Sequence, residues 1–222
     1  MRKKDKKTKK KLSNKKKIFI CFILVILIIS SYFVYTNFIK NDSTTAPKVV
    51  DEIKEFDYVV NENDTKLFKK IFGELKTILS KKEIDKKAYA ETISKLFVVD
   101  FFNLDNKTSK NDVGGAQFVY TSYRTDFIDY ARDGMYKQVN NSIDKKTGQV
   151  LPEVTSVEVK KTETVDASEI FDLDDFDSED KKEAYQVELS WKYKNGNGFQ
   201  DSAKLIVVVD GKKLSIAKME EE

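Results

Sequence analysis

The chain has 222 residues, no histidine, and one cysteine, Cys21. It carries +3 overall and +10 over residues 1–17, so everything after residue 17 carries −7. Without histidine, and with no cysteine beyond Cys21, nucleophilic triads and disulfides are excluded from the part after the apolar run, and a zinc site there would need an unfavourable all-carboxylate ligand set.

The first 17 residues hold eleven lysines or arginines and one acid, Asp5. Residues 18–39 then run without a charge, and Ile18–Ile29 are all apolar. At ~1.5 Å per residue, such a helix reaches roughly 33 Å, enough to cross a ~30 Å hydrocarbon layer. Tyr32 and Tyr35 fall where an outer aromatic belt would sit. A cleaved signal fits less well: the run is too long, and the one plausible cut, after Ala46, is followed at once by Pro47. Residues 1–17 are therefore expected to be a cytoplasmic tail, 18–39 a single transmembrane helix resting in membrane lipid, 40–47 a linker, and 48–222 a domain outside the cell membrane. The lysines serve topology and the anionic inner leaflet, so no nucleic-acid partner is expected.

Pro47 and the spacing of Val49, Val50, Ile53, Phe56 and Val60 predict an amphipathic helix over 48–60. Asp64 is a candidate cap for a second helix, whose apolar positions from Leu67 to Leu79 keep the helical period to about residue 80. Asp85 would cap a third helix running to about residue 102. "NLDNKTSKNDVGG" reads as a loop, and a fourth helix is predicted from Ala116 to about Val139, with Phe118, Tyr123, Phe127, Tyr130 and Met135 on its apolar side.

The period then changes to two. A strand is expected near 153–165. Tyr185, Val187, Leu189, Trp191 and Tyr193 alternate strictly, with Trp191 facing the core, and "AKLIVVV" reads as a central strand. "KNGNG" and the Asp210–Gly211 pair mark hairpin turns. Segregated helices and strands give an α+β class: three or four helices on a curved four-stranded antiparallel sheet, cone-like, with room for a pocket.

The stretches "VGGAQFVYTSYRTDFIDYARD" and "YQVELSWKYKNGNGFQDSAKLIVVVDGKKLSI", behind a membrane anchor, have an element order that resembles the nuclear transport factor 2-like fold. That fold occurs in extracytoplasmic domains of conjugation and type IV secretion assembly proteins. The resemblance implies a binding or scaffold role among envelope proteins and carries over no functional residue.

Four residues stand out as partner or pocket contacts. Asp100 and Asp126 each precede an apolar residue and would serve as a general base in a pocket if burial shifted their pKa; the alternative is a helix-surface acid paired with one of the many lysines. Arg124 and Arg132 are the only arginines after the apolar run. They lie roughly 80° apart on a helical wheel and suit bidentate work on a partner carboxylate. Ordinary pairing is the alternative for Arg132, because Asp129 stands three residues before it. The acidic run 166–180 fits a calcium loop poorly: with Asp175, Asp177 and Glu179 at positions one, three and five, Asp180 replaces glycine and Gln186 replaces glutamate. No cofactor or metal is expected. The main reading is an anchored, non-catalytic binding or scaffold protein of a bacterial envelope. The alternative is a small-molecule or catalytic pocket domain, and the two separate on whether carboxylates or tyrosines converge in the pocket.

Overall fold

The computed structural model describes residues 47–139, 150–167, 183–195 and 198–221. The basic tail and the apolar run 18–39 lie outside them, as does the acidic run beyond Ala167. Among the described residues, no helix is long and apolar enough to cross a membrane. The compact unit spans Ala46–Glu222 and is α+β.

The chain opens with a hairpin, β1 (Val49–Ile53) and β2 (Tyr58–Asn61), antiparallel to each other. This corrects the helix predicted over 48–60. The apolar spacing suits either state, and long-range contacts decide between them. Asp57 takes a left-handed φ of 53° and closes the turn. The Gln117 side chain acts like a neighbouring strand: Val59 N donates to its Oε1 at 2.9 Å, and its Nε2 donates to Val59 O at 3.2 Å. β-Branched valines favour the extended form once those bonds exist.

Helix α1 (Lys66–Leu79) buries Phe68, Ile71, Phe72, Leu75 and Leu79 on one face. Its cap is Thr65, whose Oγ1 accepts from Phe68 N at 3.1 Å. Asp64, expected in that role, instead accepts from Asn61 N at 2.6 Å. Helix α2 (Lys86–Phe101) is capped by Asp85, as its sequence indicates, through Ala88 N at 3.0 Å. It packs against α1 and against all four strands of the main sheet, so it is buried nearly all round.

The helix predicted over 116–139 is interrupted. Gly115 turns the chain with φ +77°, 3₁₀ turns cover Ala116–Phe118 and Thr121–Tyr123, helix α3 spans Arg124–Asp133, and after a turn at 134–136 residues 137–139 are helical again. Tertiary pairing breaks the helical ladder here: Tyr120 N donates to Ile216 O at 2.8 Å in the sheet. The Asp210 carboxylate also accepts from Thr121 N at 3.1 Å and from Thr121 Oγ1 at 2.8 Å.

The sheet is an antiparallel meander, β3 (Val154–Asp166), β4 (Glu183–Tyr193), β5 (Ser202–Asp210) and β6 (Lys213–Glu220), in that spatial order. Register shifts in the β3–β4 and β5–β6 pairs mark bulges, which bend a strand and raise its twist. Edge strand β3 is guarded by the charged side chains of Glu158, Lys160, Lys161 and Glu163 and by two such shifts. The β5–β6 loop is Gly211–Lys212, one residue later than the Asp210–Gly211 turn expected, since Asp210 still pairs with Lys213. Gly211 adopts φ +62°, as such a loop requires. Trp191 is core, its ring 4.6 Å from Phe102.

Candidate functional site

Between helices and sheet, the interior is filled. Phe118 packs on Tyr58 and Phe68, and Phe97, Phe101, Phe127 and Tyr136 form a continuous aromatic cluster at ring distances of 5.0–5.8 Å. Tyrosine hydroxyls that enter this core are satisfied. Leu214 N donates to Tyr89 Oη at 3.3 Å, Tyr58 donates to Leu214 O at 3.0 Å, and the two hydroxyls lie 2.7 Å apart. Tyr58 has one proton and spends it on Leu214 O, so Tyr89 donates to Tyr58 and the ring of bonds closes. Burial, with the neighbouring hydroxyl, pushes Tyr58 well above the ordinary tyrosine pKa, and burial takes Tyr89 to about 12. Both stay neutral at physiological pH and pin β6 to β2 and α2.

Asp100 does not face an open pocket. Its Oδ1 accepts from Lys107 Nζ at 2.5 Å and its Oδ2 from Gly115 N at 2.7 Å. Burial opposes the Lys107 ammonium, but the Asp100 charge and hydrogen bond outweigh it and hold its pKa above the usual lysine value. Tyr136 completes the hub, accepting from Gly114 N at 2.9 Å and donating to Phe101 O at 2.7 Å. The loop "NLDNKTSKNDVGG" is thus an ordered polar scaffold. Asn103 Oδ1 accepts from Val154 N at 2.8 Å, its Nδ2 donates to Asn106 Oδ1 at 2.9 Å, and Asn106 in turn donates to Asn63 O at 3.1 Å.

Asp64, beside this hub, is held at a pKa of about 6, chiefly by burial. Its folded value lies above the ordinary 3.8, so the folded protein keeps a proton that the unfolded chain has lost. Stability from this group is therefore present at low pH and lost as pH rises through 6. Asp64→Asn keeps an acceptor for Asn61 N and removes the titration. In urea unfolding between pH 7 and pH 5, wild type is expected to gain stability relative to Asp64→Asn. A gap that moves the other way would contradict the burial.

The remaining predicted residues have separate contacts. Arg124 is half-buried at the start of α3, donating from Nη2 to Val119 O at 3.2 Å, with Nε buried and without a partner among the described residues. Arg132 takes the ordinary alternative, pairing with Asp129 at 2.9 Å and Asp133 at 3.7 Å. Asp126 is exposed and lines a groove of about 300 Å³ between α3 and β6. Phe97, Phe127 and Ile216 lie among its lining residues, and Tyr130, Met219 and Lys218 also face it. Tyr130 is 81% exposed and Met219 38%. Tyr130, expected on the apolar side of a helix, lies on α3 but at the surface.

Sequence reasoning missed a second recess, of about 700 Å³, between the turn before α2 and the β5–β6 loop. Its lysines come from segments more than 100 residues apart, so no local pattern signals it. Compared with protein-family models, curated proteins and solved structures, the chain matches none.

Proposed function

We propose that this chain is a single-pass, membrane-anchored scaffold protein of a bacterial envelope, with residues 48–222 outside the membrane and the α3–β6 groove as its docking surface for another envelope protein. In this reading the domain is nuclear transport factor 2-like and the cone is closed. The single observation that carries the docking surface is the groove itself: an aromatic recess rimmed by the exposed Tyr130 and Met219, with Asp126 and Lys218 available for polar contacts. Exposed apolar side chains gathered around one concavity are characteristic of binding surfaces. Binding is favoured over catalysis because both Asp100 oxygens are engaged within the fold, and Asp126 lines the groove as a lone carboxylate.

The test is a photocrosslinking residue introduced at Tyr130 in living cells, with Lys160 on the opposite sheet edge as comparison. A discrete protein adduct is expected at Tyr130 alone. In a chain crosslinked from position 127, Tyr130→Ala with Met219→Ala should reduce that adduct by about tenfold, as loss of two aromatic or thioether anchors does at interfaces. Equal adducts at 130 and 160 would refute the groove as the docking surface.

A further inference from the structure

The larger recess is separate from the groove and has a different chemistry. Among the described residues, Lys82, Lys86, Lys212 and Lys213 line it with a single carboxylate, Glu183, and Tyr89 lies among its walls. Glu183 is already committed. Its Oε2 accepts from Lys86 at 2.6 Å and its Oε1 accepts from the Tyr185 hydroxyl at 2.6 Å. Lys213 is half-buried, with Nζ donating to Phe56 O at 3.2 Å and lying 5.2 Å over the Tyr58 ring. Lys82 and Lys212 are exposed at the mouth and have no ion-pair partner among the described residues.

Four ammonium groups therefore line one recess against one occupied carboxylate, a formal excess of +3 among its lining residues. Apolar walls from Ile84, Val209 and Leu214 lower the local dielectric and strengthen that field. Burial, and after it the nearby Arg124, lowers the Lys213 pKa, while Asp57 and Asp210 act in the opposite sense without reversing it. A site made of lysines rather than arginines presents compact point charges, which suit a multiply charged phosphoryl group better than a planar carboxylate. A volume of about 700 Å³ also falls within the size range of small-molecule sites.

We propose that this recess is a binding site for a polyanionic phosphoryl ligand, with the exposed Lys82, Lys86 and Lys212 capturing it at the mouth and the half-buried Lys213 completing the charge inside. The ligand is either a soluble phosphate ester or the headgroup of an anionic lipid.

The experiment is residue-resolved lysine acylation, read by mass spectrometry, on the full chain in nanodiscs. Site resolution separates this recess from the eleven basic residues of the tail. One arm uses zwitterionic lipid with and without tripolyphosphate; the other uses phosphatidylglycerol with no added anion. Labelling of Lys82 and Lys212 is expected to fall by about threefold or more, as saturation of a site gives, while exposed Lys160 and Lys192 stay unchanged. In Lys82→Gln/Lys212→Gln, protection of Lys86 should disappear. Protection in the first arm assigns a soluble ligand, and protection in the second a lipid headgroup. Protection spread evenly over all lysines, none in either arm, or Lys86 still protected in the double variant would overturn the proposal.

Discussion

Replacing Lys107 with methionine is expected to destabilise the 46–222 unit by about 3–5 kcal/mol, the range for breaking a buried ion pair from one side. Only 3% of the Lys107 side chain and 13% of the Asp100 side chain remain exposed, so water cannot take over the lost contact. Methionine keeps most of the lysine stem packed, which isolates the charge from the volume. Asp100 is then left with Gly115 N as its donor. At about 2–4 °C per kcal/mol for a domain of this size, the melting temperature should fall by roughly 10 °C. Lys107→Met/Asp100→Asn removes the orphaned charge and is expected to recover at least half of the loss. The difference between wild type and Lys107→Met also has a pH signature. Lys107 titrates above the ordinary 10.5 when folded, so its contribution is complete below that value and disappears as pH rises through the folded one. Urea unfolding at pH 8 and above pH 11 measures both. A loss below about 1 kcal/mol at pH 8 would mean that the pair behaves as a surface contact.

Gly114→Ala is expected to be of similar severity, about 3 kcal/mol or more, toward the upper end for overpacking a tight site. A Cβ there would meet the Asp100 carbonyl oxygen and carbon well inside van der Waals contact and its Oδ1 at 2.6 Å. The first two are backbone atoms of α2 and cannot rotate away. Movement of the loop would also pull Gly114 N from Tyr136 and Gly115 N from Asp100. Because the same carboxylate is shared, the two substitutions should not add: Gly114→Ala should cost less in the Lys107→Met background than in wild type. A double-mutant cycle by chemical denaturation measures this coupling, and strict additivity would show that the glycine and the ion pair act independently. Gly73, by contrast, has open space around its missing Cβ.

Much of the fold is legible in local chemistry. Period-two alternation in β4 and β5 places Tyr185, Val187, Leu189 and Trp191 on the core face without tertiary information. Asp85 announces the start of α2 because a cap acts within three residues. The Arg132–Asp129 pair is equally local. The first hairpin and the interrupted α3 region were not legible, because partners far along the chain decide them: Gln117 for β2, and Ile216 with Asp210 for the segment before α3. The site residues divide in the same way. Pairing of Asp100 with a lysine is one of the two sequence readings, but Lys107, although near in sequence, reaches it only after the loop folds back, and the burial of the pair and the tight fit of Gly114 and Gly115 against α2 have no local signal.

The sequence alone determined the α+β class, the four-stranded antiparallel sheet and the charge asymmetry between the first 17 residues and the rest, since periodicity and composition are properties of neighbouring residues. Only the tertiary structure decided which acids are occupied, which aromatic remains exposed, and which lysines share a recess. Those are distances set only by folding, between residues from 7 apart, for Asp100 and Lys107, to about 130 apart, for the lysines of the recess, and burial turns such distances into energies that no local pattern encodes.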